Sequence, residues 1–204
     1  FNIVKDNFIL TDFKTTFDIV ICNPPYKKLR KDSEESQKMN EVVYGQPNLY
    51  GFFMAKGVSL LRENGRFAYI TPRSWTSGQY YALVRESILE TVSIEDIVLF
   101  QERDNVFKEE NVLQETVIVS GKWGKSQNKC VSIHTVTGDF EKNIGNISVS
   151  CDLIMNVGEN HCLVLPTSTA DIDVLKKMGT IQSNLRSLGY TFKTGPVVEF
   201  RNLS

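Results

Sequence analysis

No apolar run in the 204 residues approaches the roughly twenty that a bilayer-spanning helix needs, and no leader pattern opens the chain. A protein without a membrane segment, working in the cytoplasm, is the expectation. An excess of either charge is also missing. With 23 Lys and Arg against 24 Asp and Glu, no global field draws the molecule onto nucleic acid or an anionic surface, so any nucleic-acid contact must be a local patch. Cysteine is sparse: Cys22, Cys130, Cys151 and Cys162 form no C-x-x-C pair. That scatter predicts reduced thiols and no metal site. Two histidines, His134 and His161, lack any partner spacing and read as strand or loop residues. Internal repeats and low-complexity tracts are absent from the sequence.

What the chain does have is 41% hydrophobic content, enough for one sizeable core and a smaller unit beside it. Phe17 to Cys22 is a β-branched run stopped by Asn-Pro-Pro, which predicts a buried strand. Lys27 to Gln46 is polar and reads as a loop. Pro47 to Glu63 carries apolar residues at helical spacing, with Asn64-Gly65 as the expected stop. A strand follows at Arg66 to Thr71, a helix at Gly78 to Thr91 and a strand at Ile94 to Phe100. This alternation predicts an α/β doubly wound sheet whose ligands sit beyond the carboxyl ends of the strands, an edge marked by Pro24 and Pro72. Gln114 to Ser120 and Val131 to Val136 read as an antiparallel hairpin closing a mostly parallel sheet. One further helix is expected from Ala170 to Met178. Phe1 and the stretch from Val197 to Ser204 both read as cuts through something longer.

Asp18-Ile-Val-Ile-Cys-Asn-Pro-Pro-Tyr26 is the stretch with chemical content. An exocyclic amino group on an aromatic ring is a poor nucleophile because its lone pair is delocalised. Two acceptors facing its N–H bonds hold the nitrogen nearer a pyramid and free that pair for in-line attack on a methyl sulfonium. Asn23 can offer a side-chain carbonyl and Pro24 a main-chain carbonyl, while neither proline brings a competing N–H. Tyr26 offers a flat face for stacking, worth about 1–3 kcal/mol in comparable base–aromatic contacts. The alternative reading of Asn-Pro-Pro, a plain turn after a strand, stays open on the tetrapeptide alone.

The strand plus Asn23-Pro24-Pro25-Tyr26 resembles the catalytic motif of the amino-methyltransferases, which include DNA adenine-N6 enzymes and glutamine methyltransferases. Asp12-Phe13 resembles the family's cofactor-adenine motif. The Asn48-Leu-Tyr-Gly-Phe-Phe helix and Gly65-Arg-Phe-Ala-Tyr-Ile-Thr-Pro-Arg-Ser-Trp75 look like the next motifs of DNA enzymes in the gamma arrangement. Asn105-Val-Phe-Lys-Glu-Glu-Asn-Val112 resembles the motif whose aromatic residue packs on an extruded adenine, and Tyr190 to Arg201 resembles the opening of a target-recognition domain.

The resemblance implies a Rossmann-like methyltransferase fold, truncated at its amino end. It divides the chain into a partial catalytic domain over 1–140 and a linker with the start of target recognition over 141–204. It implies methyl transfer from S-adenosylmethionine to adenine N6 in double-stranded DNA, within a restriction–modification system whose nuclease is fused or separate. Asn23, Pro24 and Tyr26 would be catalytic; Asp12, Phe13, Asn23 and Pro25 would hold cofactor; Tyr26 and Phe107 would contact the base. Lys27, Lys28 and Arg30 would meet DNA phosphates, or simply form a solvated loop. Phe107 could equally pack in a core; Phe13 reads first as a cofactor residue, with packing as the lesser alternative, and Asp12 could instead cap a turn. Arg73 or Trp75 would face the substrate. The Gly-rich loop expected upstream of Asp12 is not in this sequence, so weak or no cofactor binding and no activity are expected of this stretch alone. A glutamine or RNA amino-methyltransferase and a non-catalytic DNA-binding module are the competing readings.

Overall fold

The computed structural model describes residues 2–100, 115–124, 130–137, 144–155 and 162–191. Strand β1 (Phe17–Cys22) leads through the short helix α1 (Glu34–Lys38) to helix α2 (Leu49–Ser59), which crosses back to β2 (Leu61–Pro72), parallel to β1. Helix α3 (Ala82–Thr91) then delivers β3 (Val92–Phe100). Strand β4 (Thr116–Trp123) slots antiparallel between β2 and β3, and β5 (Cys130–Val136) lies parallel to β3 on its other side. Strand β6 (Ile144–Ser150) closes the order β1-β2-β4-β3-β5-β6. Two short helices follow, α4 (Cys151–Ile154) and α5 (Thr169–Gly179).

The α/β architecture matches the expectation, but the expected hairpin does not form. The described part of the first segment, from Thr116 to Ser120, lies in β4 and Val131 to Val136 lies in β5, which are not neighbours; the antiparallel pair is β5 with β6. Of the five strand pairings among the described residues, two are parallel and three antiparallel, so the sheet is mixed rather than mostly parallel. β4 takes the central place because its valines and its glycine suit it. Val117 and Val119 are fully enclosed, and Gly121 sits where a Cβ would run into the Ser93 carbonyl of β3.

Period-two alternation sends Phe67, Tyr69, Val119, Ile97 and Ile133 to one face, which α2 and α3 cover with Phe52, Met54, Val58, Val84 and Ile88. Val149, Ile154, Leu163 and Leu165 join the same core. α2 is buried almost all round, as befits a helix between a sheet and a second helix. It ends at Ser59, earlier than Asn64-Gly65 suggested, because the Leu60 carbonyl is claimed by the Phe17 N–H and Leu61 begins pairing with β1. Asn64, at φ 63°, instead makes the irregularity where the β1–β2 register slips between Phe17 and Ile19. No helix among the described residues is long and apolar enough to cross a membrane.

Candidate active site

The corner after β1 is built by residues that cannot continue a strand. Pro24 is buried, Pro25 and Asn23 are exposed, and Tyr26 is half-buried. The Lys27 N–H reaches the Pro25 carbonyl at 3.1 Å, so the chain reverses within three residues. That reversal returns the Tyr26 hydroxyl to within 3.2 Å of Asn23 Oδ1 and 3.3 Å of the Ile70 carbonyl near the end of β2. One phenolic proton serves two acceptors, leaving a lone pair on the Asn23 oxygen for a third party. Burial pushes the Tyr26 phenol above its ordinary value, so it is a neutral donor with an apolar ring rather than a base.

Beyond Tyr26 the chain is tied to the start of α2. Leu49 N–H donates to the Lys27 carbonyl at 2.8 Å and Leu29 N–H to the Pro47 carbonyl at 3.0 Å, while Asn48 caps the helix by accepting from the Tyr50 N–H at 3.3 Å. This delivers the buried Tyr50 ring edge-on to Tyr26, with centroids 6.0 Å apart. Tyr50 in turn stacks on Tyr81 at 5.2 Å and shares a hydrogen bond with Ser74 at 3.0 Å.

Asp12 and Phe13 form a second group, on the flank of α2. Asp12 is exposed and ion-paired with Lys38 at 2.7 Å, which holds its carboxyl below the usual range. Phe13 meets Phe8 at 5.5 Å and Phe17 at 6.1 Å, and Phe8 meets Phe53 at 4.8 Å. A cleft of about 280 Å³ opens beside Asp12, lined also by Ile9, Val42, Ala55 and Lys56. Among the described residues, no hydrogen bond, ion pair or ring contact joins this flank directly to Asn23 or Tyr26; α2 links them, carrying Tyr50 toward the corner and Phe53 and Lys56 toward the flank. Three-residue spacing keeps those side chains along one side of the helix, a rise of about 9 Å from first to last.

Lys27 and Lys28 are exposed, and Arg30 is engaged by its neighbour Asp32 through two contacts of 2.6 and 3.0 Å. Trp75 is wholly buried and donates to Thr71 Oγ1 at 3.0 Å, which removes it as a substrate-facing residue. Arg73 stays half-exposed, 3.4 Å from Glu115. Phe107, the stretch Asn105 to Val112, His161 and nearly all of Tyr190 to Arg201 lie outside the described residues. Sequence reasoning missed Tyr50 and Lys56; the i, i+3, i+6 stripe Tyr50, Phe53, Lys56 was the available signal, hidden because the apolar pattern of α2 runs all round it.

Residues 1–107 match the model of the Eco57I restriction-modification methylase. The chain belongs to that family. The matched stretch holds the corner, the flank and α2 together. Among similar methylases, the type II methyltransferase M.BsuBI of Bacillus subtilis is 30% identical over 201 residues, 98% of this chain and 40% of its own length. M.PstI of Providencia stuartii is 29% identical over 197 residues, 96% of this chain and 39% of its own. This chain thus spans about two fifths of the length of those relatives. A Listeria monocytogenes protein described as a class I S-adenosylmethionine-dependent methyltransferase superposes with TM-score 0.52 at 18% identity, covering 64% of this chain and 40% of that one. At that identity the likeness speaks for the fold, which is the Rossmann-like α/β class.

Proposed function

We propose that the Asn23–Tyr26 corner is the methyl-transfer centre of a restriction–modification DNA methyltransferase acting on the N6 amino group of an adenine extruded from double-stranded DNA. The observation that carries this reading is the exposed Asn23 carboxamide beyond the carboxyl end of β1, its oxygen beside the neutral Tyr26 phenol. Asn23 and the Pro24 carbonyl accept from the two N–H bonds of the target amine and orient its lone pair; Tyr26 packs on the base. Family membership and the type II methyltransferase relatives support the DNA substrate.

The residues fit S-adenosylmethionine, which when bound supplies the electrophilic methyl group. Asp12 is an ionised acceptor suited to an adenine amino group and lines the cleft, and Phe13, the next residue, offers an aromatic wall. Asn23 and Pro25 would complete the cofactor's contacts at the corner, and Lys27, Lys28 and Arg30 would track the DNA backbone. The catalytic unit of 1–140, with residues of 147–155 and Leu163 and Leu165 packed on its core, would lead into target recognition, and a nuclease, fused or separate, would be the partner activity.

The test is to incubate the protein that carries this chain with methyl-labelled cofactor and duplex DNA, digest the product and separate the nucleosides. Label in N6-methyladenine is expected. Label in cytosine N4 would move the substrate to the other exocyclic amine, and label only in protein or RNA would overturn the reading.

A further inference from the structure

The flank is held to the rest of the molecule by Asn7 Nδ2 donating to Glu35 at 3.0 Å, by the Asp12–Lys38 ion pair, by Phe8 against Phe53 and by the buried Ile9, while its Ile9 and Thr11 carbonyls are held by one side chain, Lys56. Residues 7–11 form a turn organised by Asn7: its carbonyl accepts from the Leu10 and Thr11 N–H groups at 3.1 and 3.0 Å, and its Oδ1 accepts from the Ile9 N–H at 3.0 Å. These bonds shape the turn without fixing its place on the fold. Lys56 reaches from α2 and donates to the Ile9 carbonyl at 2.7 Å and the Thr11 carbonyl at 2.6 Å, with its ammonium 5.5 Å from the ring centroids of both Phe8 and Phe13. Charged donors make the stronger hydrogen bonds, and cations favour aromatic faces. Thr11 immediately precedes Asp12, so a clamp on its carbonyl sets where the next carboxylate and ring point.

We infer that Lys56 is the positioning residue of the cofactor-adenine wall: from α2, its ammonium holds the 9–13 segment so that Asp12 and Phe13 present one acceptor and one aromatic face to the cofactor. The inference rests on the proposed role of Asp12 and Phe13. The arrangement places the wall and the Tyr26 support on one helix, because Tyr50, which packs on Tyr26, stands fewer than two turns before Lys56. A shift of α2 therefore moves both together.

Lys56→Met keeps the apolar stem and removes the ammonium. In the cofactor-free protein that carries this chain, amide hydrogen exchange over residues 8–13 should accelerate, while the amides of α2 and of the Asn23 corner keep their wild-type rates. The dissociation constant for S-adenosylmethionine by calorimetry, and its KM, should rise about tenfold, less than the two bonds themselves because the other contacts keep the turn in place and only its aim is lost, with kcat at saturating cofactor retained. Lys56→Arg should recover part of the binding. Unchanged exchange in residues 8–13, or faster exchange throughout α2, overturns the clamp. Asp12→Ala separates the two layers: if it weakens cofactor binding while Lys56→Met does not, this inference alone fails. If neither variant weakens binding, the reading of Asp12 and Phe13 fails with it.

Discussion

The corner at 23–26 is fixed by its own covalent stiffness and by bonds to β2 and to the start of α2, whereas the wall at 8–13 reaches α2 through a lysine and a few ring contacts. Both use the same helix, yet they solve different problems. Orienting an amine for attack needs acceptors that do not move as the reaction proceeds, and prolines with an internal tyrosine bond supply that. Receiving and releasing a cofactor needs a surface that can adjust, and a long flexible side chain on two carbonyls supplies that instead. The difference teaches that the two halves of such a site can fail separately, and substitutions can show it.

The largest effect should come where the two regions share support. Tyr50→Ala removes a ring that is 1% exposed and packs on both Tyr26 and Tyr81, so a loss of about 3–5 kcal/mol in unfolding free energy is expected from denaturant titration. Tyr50→Phe keeps the ring and loses the bond to Ser74, and should cost only about 1 kcal/mol. Confined to the corner, Tyr26→Ala should lower kcat/KM for DNA by on the order of 10- to 100-fold through lost stacking. Tyr26→Phe should cost less than tenfold, since it gives up only the hydroxyl bond to Asn23 or Ile70.

Much of this was readable before any coordinates. The strand into Asn23-Pro24-Pro25 is legible because prolines and β-branched residues leave the backbone few choices, but not its burial: β1 ends the order of described strands and leaves Ile19 and Ile21 exposed, where its apolar run predicted a buried strand. The helix at 169–179 is legible because Ser168 and Asp171 form a capping box. The place of β4 was not legible. Its pairing with β2 and β3 is set by contacts far apart in the chain, and adjacency in sequence pointed wrongly to β5. Trp75 looked exposed because it follows a strand-ending proline, but the 3₁₀ turn over Arg73–Thr76 rotates it into the core. Lys56 was hidden for another reason: a lysine on a helix is normally a solvated surface residue, and only the carbonyls of a distant turn give it a task.

Alkaline pH should separate the regions more gently. Burial raises the phenols of Tyr26, Tyr50 and Tyr69, so the folded state keeps these protons to higher pH than the unfolded chain. Their contribution is complete below about pH 10, the ordinary tyrosine value, and is lost as pH rises beyond it. Denaturant midpoints should fall above that point, with the buried phenols' share of the tyrosinate absorbance appearing only as the fold is lost. Smallest of all, Lys38→Met removes an exposed ion pair with Asp12 and should leave the melting temperature unchanged.

The central claim is that Asn23 accepts from the target amine. Steady-state methylation of duplex DNA by Asn23→Ala, with DNA affinity measured in parallel, tests it most directly. Because the side chain lies at the surface, the fold should persist and DNA binding with it, while kcat falls on the order of 10²–10³-fold, the usual loss on removing one oriented polar group from a reacting centre. Methylation at the wild-type rate by a folded Asn23→Ala protein would contradict the account.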